Sequence, residues 1–172
     1  ENILCEPVRR NTAPCIAYAM AKIEKRCEDA LVLVMPSDHL IVDKENFVSR
    51  IFQGFRLARR EQVLICLGIK AAYPNTGYGY IQYNMDVCSQ DDCGIKKVKL
   101  FTEKPAYEMA CSFVESGDFL WNAGIFIWSL QAIKAAFVKF LPEITDVILK
   151  GRELLDTDQE EAFVEEAYSI CP

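Results

Sequence analysis

The chain has 172 residues, 51% of them apolar, which is enough for one domain with a substantial core. Its 19 Lys and Arg stand against 25 Asp and Glu, and a net charge of −6 argues against an extended polyanion such as a nucleic acid polymer as partner. The longest apolar runs, such as Leu31 to Met35, fall far short of the roughly 20 residues a bilayer requires. A small anionic substrate remains compatible, because local donors decide that. Eight cysteines lie scattered through apolar segments with no CxxC pair, which reads as buried thiols in a reducing cytoplasm rather than a disulfide framework. Cys88 and Cys93 are the one close pair.

Apolar runs of strand length alternate with longer segments at helical spacing, the pattern of βαβ units and a largely parallel sheet. Ile3 to Cys5 reads as a strand. Asn11 or Thr12 can cap the helix that follows, Pro14 suits its first turn, and Ala17, Met20, Ala21 and Ile23 form its apolar stripe to about Cys27. Leu31 to Met35 is apolar on both faces, as in a central parallel strand covered on both sides. Phe47, Ile51, Phe55 and Leu57 mark a second helix, and Val63 to Leu67 a further buried strand.

From Tyr73 the texture changes. Pro74 to Gly79 is a turn-rich loop, and the strands expected at Tyr80 to Tyr83 and Ile95 to Thr102 alternate more. A helix is expected at Tyr107 to Ser116, a buried strand at Gly124 to Trp128, and helices at Gln131 to Phe140 and Glu160 to Tyr168. Glu1 to Leu4 runs straight into a strand and Ser169 to Pro172 reads as the start of another, so both ends look like interior points of a longer protein.

In an open α/β sheet, ligands bind beyond the carboxyl ends of the strands, often beside a helix N-terminus. Five segments answer to that rule. Glu6, beside the helix start, either pairs with Arg9 or Arg10 or accepts the two adjacent N–H donors of guanine, a pair adenine lacks. Asp38 directly follows a buried strand, so it serves either as a turn or cap residue or as the one carboxylate that Mg²⁺ needs beside substrate phosphates. His39, the only histidine, reads as a packing or hydrogen-bonding neighbour. Gly77 and Gly79, flanking Tyr78, form either a plain hairpin or a place where backbone groups approach a ligand. Glu103 and Lys104 offer an acceptor and a cation at a strand end, and Asn122 an amide that both donates and accepts. Trp121 suits core packing or the face of a sugar.

Taken in order, Glu6-Pro7 through Arg10-Asn11-Thr12-Ala13-Pro14, Pro36-Ser37-Asp38-His39, Thr76-Gly77-Tyr78-Gly79-Tyr80-Ile81, Glu103-Lys104-Pro105 and Trp121-Asn122-Ala123-Gly124-Ile125-Phe126 closely resemble the mannose-1-phosphate guanylyltransferases. The likeness spans nearly the whole chain. It implies an α/β, Rossmann-like nucleotidyltransferase fold, a mostly parallel mixed sheet with helices on both faces, incomplete at both ends, with residues 1–172 as the central part of a single domain.

The reaction implied is attack of the mannose 1-phosphate oxygen on the α-phosphorus of GTP, giving GDP-mannose and pyrophosphate in nucleotide-sugar biosynthesis, with Mg²⁺ as cofactor. Carried over by position, Glu6, Asn11 and Thr12 lie at the base, with Arg10 a further nucleotide neighbour. Asp38 stands as the catalytic and metal residue, and Gly77, Tyr78, Gly79, Glu103, Lys104 and Asn122 at the mannose. Such chemistry depends mainly on positioning and charge neutralisation, so the absence of an obvious nucleophile fits. The family's glycine-rich phosphate loop belongs ahead of Glu1 and a second metal-site acid beyond Pro172, so little turnover is expected of the chain in isolation. A homodimer is compatible with the sequence. So are a sister enzyme with another base or hexose, and a silent binding subunit of the same fold.

Overall fold

The structure, a computed structural model, describes residues 2–85 and 94–171. The chain divides into two compact units. One gathers the chain up to Val32, Leu57–Leu64 and the chain from Trp128 onward; the other comprises Leu33–Arg56 and Ile65–Ile127. No helix among the described residues is long and apolar enough to cross a membrane.

The first unit is built on helix α1 (Thr12–Arg26), which buries Pro14, Ala17, Tyr18 and Ala21 along one stripe at the three- and four-residue spacing expected of a half-buried helix. Against it pack α4 (Leu130–Phe140) and α5 (Pro142–Lys150), and α5 also meets α6 (Glu160–Ile170). Ser129 caps α4 by accepting from the Ala132 N–H at 3.2 Å. The charges of this unit are paired. Lys22, itself buried, bonds Asp156 and reaches both carboxylate oxygens of Glu160 at 2.9 and 2.7 Å, while the Tyr18 hydroxyl donates to Glu160 at 2.6 Å. Burial alone would favour neutral Lys22, but its two carboxylate partners more than offset this and raise its pKa. Burial likewise works against ionised Glu160, yet Lys22 and Tyr18 outweigh it and hold the carboxyl down at about 2.

The second unit carries the sheet, in the order β1 (Leu31–Val34), β5 (Phe119–Ser129), β3 (Gly79–Tyr83), β4 (Val98–Glu103), with β2 (Ile65–Lys70) also paired to β5. Helix α3 (Tyr107–Ser116) and the part of helix α2 (Lys44–Arg60) up to Arg56 complete it. Asp43 caps α2, its side chain accepting from the Asn46 N–H at 3.1 Å. Helix α3 stops at Gly117, whose φ of 76° is the left-handed conformation that ends helices. Tyr80, Ala110 and Phe119 form a core with Phe113, whose ring stacks on Phe119 at 3.9 Å between centroids.

The α/β class stands, with corrections. The sheet was expected to be mostly parallel, but β2–β5, β3–β4 and β3–β5, the pairings whose register is described, are all antiparallel. Strand β1 is half buried along its length and lies at one end of the described order rather than at its centre. Strand β2 is half buried, then exposed. Asn2 to Cys5 is exposed and irregular rather than a strand, with no ladder partner for its backbone among the described residues. Residues 169 and 170 continue α6 instead of opening a strand.

The buried-thiol reading also fails in part. Cys5, Cys15 and Cys27 are exposed, Cys66 and Cys111 half buried, and only Cys171 is buried among the six described cysteines, all free thiols. Cys88 and Cys93 lie outside the described residues.

Candidate functional site

The predicted residues fall into two groups, one in each unit. In the first unit, Glu6, Arg10, Asn11 and Thr12 are all exposed and lead into α1. Asn11 occupies the N-cap position in extended conformation, but its side chain makes no capping hydrogen bond, so its amide is not consumed by the helix.

Arg10 is engaged within the chain. Its guanidinium does not pair with Glu6; its Nε and Nη2 donate to the Tyr168 carbonyl at 3.1 and 2.9 Å, and Nη2 also to that of Ser169 at 3.3 Å. A cation on the last carbonyls of a helix both satisfies orphan acceptors and complements the dipole. Arg10 is therefore an anchor for α6.

Behind Glu6 lie two residues that the sequence did not single out. The Tyr168 side chain is wholly buried. Burial first, and then the neighbouring Glu6 carboxylate, hold that phenol protonated far above its ordinary range. Partial burial of the sulfur, with Glu6 beside it, likewise raises the Cys15 thiol. The spacing of Val164, Ala167 and Tyr168 along α6 signalled only a core face; nothing local indicates that this face ends beside Glu6.

In the second unit, Asp38 lies exposed in the turn after β1. Since Asp43 caps α2, Asp38 is not held to that duty. Among the described residues no group of three or more His, Cys, Asp or Glu could hold a metal ion. Asp38 fits the role of a single hard-oxygen ligand and no more.

The other predicted residues of this unit interlock through the sheet. Gly79 pairs with Glu103 and Tyr80 with Trp121. A Cβ on Gly79 would stand 2.5 Å from Glu103 Oε2 and 3.2 Å from Phe101, so only glycine leaves that carboxylate its place. Lys104 follows with φ at 44°, uncommon for a residue with a side chain, and its N–H donates to the Tyr78 carbonyl at 3.2 Å. Its Nζ lies 3.9 Å from Glu103 Oε1, an exposed pair that contributes little to stability.

The loop before β3 is fastened from within. The Asn75 side chain accepts from the Gly77 N–H at 2.8 Å, and the Asn75 N–H donates to the buried Tyr80 hydroxyl at 2.9 Å. Asn75 was not predicted, although an Asn two residues before a Gly is the usual sign of such a turn. Tyr73 and Tyr78 meet Trp121 edge-on, at 4.9 and 5.2 Å between centroids. Asn122 bends β5 at Gly124, whose φ is 69°, by accepting from the Gly124 N–H at 3.1 Å. A Cβ on Gly124 would come within 3.5 Å of Pro36, so Gly124 adjoins the segment that carries Asp38.

An arrangement of this kind offers acceptors, amide donors and a close backbone to a polyhydroxylated ligand, and in the other unit an exposed carboxylate at a helix start. Comparison with known proteins gives the family. Residues 1–167 match the nucleotidyl transferase family. The chain is 36% identical over 175 residues to a mannose-1-phosphate guanylyltransferase of Escherichia coli K12, covering 100% of this chain and 36% of that protein. It is 32% identical over 173 residues to the alginate biosynthesis protein AlgA of Pseudomonas putida, covering 100% of this chain and 35% of that protein. The chain thus spans about a third of the length of these curated relatives. A solved structure described as a mannose-1-phosphate geranyltransferase from Thermus thermophilus superposes with a TM-score of 0.81 at 26% identity, over 98% of this chain and 46% of that one. With sequence and fold in agreement over almost its whole length, the chain belongs to the nucleotidyl transferase family.

Proposed function

We propose that the protein carrying this chain transfers GMP from GTP to mannose 1-phosphate, releasing pyrophosphate and forming GDP-mannose. The observation that carries this reading is the seating of the Glu103 carboxylate over Gly79, an acceptor held at a strand end where only a hydrogen atom separates it from the backbone. A pair of adjacent sugar hydroxyls suits such an acceptor. Asn122 adds to it: its amide oxygen is taken by Gly124, so the NH₂ end is the one offered to a hydroxyl. Lys104 supplies positive charge for the sugar phosphate. Gly77 and Tyr78 shape the loop, with Tyr78 packed on Trp121.

Glu6 would accept the two adjacent donors of the guanine edge, with Asn11 and Thr12 beside it at the start of α1. Asp38 would hold Mg²⁺ together with substrate phosphates, and the ion, when bound, would neutralise phosphate charge. The chain's own part is to hold the sugar phosphate and the base so that little motion is left before attack. A cytoplasmic setting follows from this choice of substrates.

Calorimetric titration of GDP-mannose into the full-length protein with Mg²⁺ tests the reading, with GDP-glucose and ADP-mannose as controls. GDP-mannose binds most tightly of the three, and Glu6→Ala and Asn122→Ala each weaken it. Equal or absent binding of all three would leave a silent member of the family instead.

A further inference from the structure

We infer that Trp121 is a positioning residue of the sugar site, acting from the opposite face of the sheet by bracing the loop that leads into Tyr78 and Gly79. This rests on the assignment of Gly79, Glu103 and Asn122 to the sugar. Side chains alternate between the two faces of a strand, so the ladders sort these residues by face. Gly79 is paired with Glu103, and a Cβ on Gly79 would meet the Glu103 carboxylate, so both belong to one face. Tyr80, next in β3, is paired with Trp121 and belongs to the other, where it forms a core with Ala110 and Phe119 against which Trp121 packs. Asn122 follows Trp121 in β5 and so returns to the face of Gly79 and Glu103. Trp121 therefore lies on the reverse of the sugar-side residues, a place from which it cannot stack on a sugar they hold.

What the indole does touch is the loop. Tyr73 and Tyr78 meet it edge-on, at 4.9 and 5.2 Å between centroids, one from each side of the turn that Asn75 and Gly77 make. Between them the Asn75 N–H donates to the Tyr80 hydroxyl at 2.9 Å. The tryptophan itself is fixed by ladders on both sides, to Ile69 of β2 and to Tyr80 of β3. Its indole N–H is buried with no hydrogen-bond partner among the described residues, so what it gives the loop is the ring. The consequence crosses the sheet through the backbone. The Tyr78 carbonyl accepts from the Lys104 N–H at 3.2 Å, and the residue after Tyr78 is the glycine beneath Glu103. A displaced Tyr78 thus moves the seat of Glu103 and the left-handed Lys104 together, and small misplacements of binding groups are costly even when the altered residue never meets the ligand.

Steady-state kinetics of the full-length protein tests this, with KM for mannose 1-phosphate and for GTP measured on the wild type, Trp121→Leu, Trp121→Phe, Tyr78→Ser and Glu103→Gln. Trp121→Leu should raise the KM for mannose 1-phosphate about tenfold, the worth of the edge contacts it removes, and leave that for GTP as in the wild type. Trp121→Phe, which keeps an aromatic ring between the tyrosines, should recover most of the loss. Tyr78→Ser removes the exposed partner and spares the core; it should reproduce the rise with the melting temperature unchanged, and with Trp121→Phe it decides the matter if Trp121→Leu does not fold. A lowered melting temperature with both KM values kept, or an equal rise for both substrates, overturns the inference and leaves Trp121 a core residue. Glu103→Gln separates the two levels. If it leaves the KM for mannose 1-phosphate intact, or if the wild type does not turn that substrate over, the sugar assignment itself is wrong and the inference falls with it. If Glu103→Gln raises that KM while Trp121→Leu and Tyr78→Ser do not, only the role of Trp121 is lost.

Discussion

The two regions hold their polar groups by opposite means. Around α1 and α6 the holding is done by charged side chains, with Lys22, Asp156, Glu160 and Arg10 all engaged. Around β3 and β4 it is done by backbone geometry: an Asn75 turn, a left-handed Lys104, and a glycine that leaves no gap beneath Glu103. A frame of ion pairs responds to charge and pH; a frame of close backbone contacts responds to volume. The difference explains why Glu103 and Lys104 stay exposed while the charges held between α1 and α6 are tied up.

The largest effect that would test this contrast is expected from Lys22→Met. Removing the cation leaves Asp156 and Glu160 facing each other, at a cost of about 2–3 kcal/mol; the value lies below that for a wholly buried pair because Asp156 is partly exposed. Urea unfolding measures it, and a loss under about 1 kcal/mol would mean that solvent already carries those carboxylates. Next comes Gly79→Ala. The added methyl displaces the ends of two flexible side chains, Glu103 and Phe101, so stability should change by less than about 1 kcal/mol while mannose 1-phosphate binds about tenfold more weakly. A matching loss of stability would make Gly79 a structural residue only.

The pH response sharpens the contrast further. Glu160 has a folded pKa of about 2 against an ordinary 4.5, so its contribution is complete above about pH 4.5 and fades as pH falls toward 2. Glu160→Gln should flatten that part of the stability profile, whereas Asn122→Ala should leave its slope unchanged. The smallest effect is expected from Ser129→Ala, which removes the cap of α4 and should cost about 1 kcal/mol in thermal unfolding with nucleotide and sugar binding untouched.

Much of the fold was legible because local rules governed it. Helix α3 runs over the residues its spacing indicated, since Gly117 can end a helix without help from elsewhere. Helix α5 was not foreseen. It follows α4 after a single residue, and its Ile144, Thr145 and Ile148 are buried against neighbours that no local pattern announces. Strand β5 begins five residues earlier than its apolar run, at Phe119, because ladders to β2 and β3 pair its residues from Phe119 to Asn122. The sugar-side segments were likewise legible as short motifs, but the reason Gly79 must be glycine is Glu103, 24 residues on and visible only across a ladder.

What the sequence by itself determined is the alternation of elements, the position of α1, and the five segments whose chemistry suits a nucleotide sugar, because capping, periodicity and motif order are all local in the chain. What only the tertiary structure decided is direction and partnership. The described strand pairings run antiparallel, and Arg10 reaches the last carbonyls of α6. Hydrogen bonds and ion pairs form between whatever groups folding brings together, and a separation of 158 residues carries no trace of such a partnership in either local sequence.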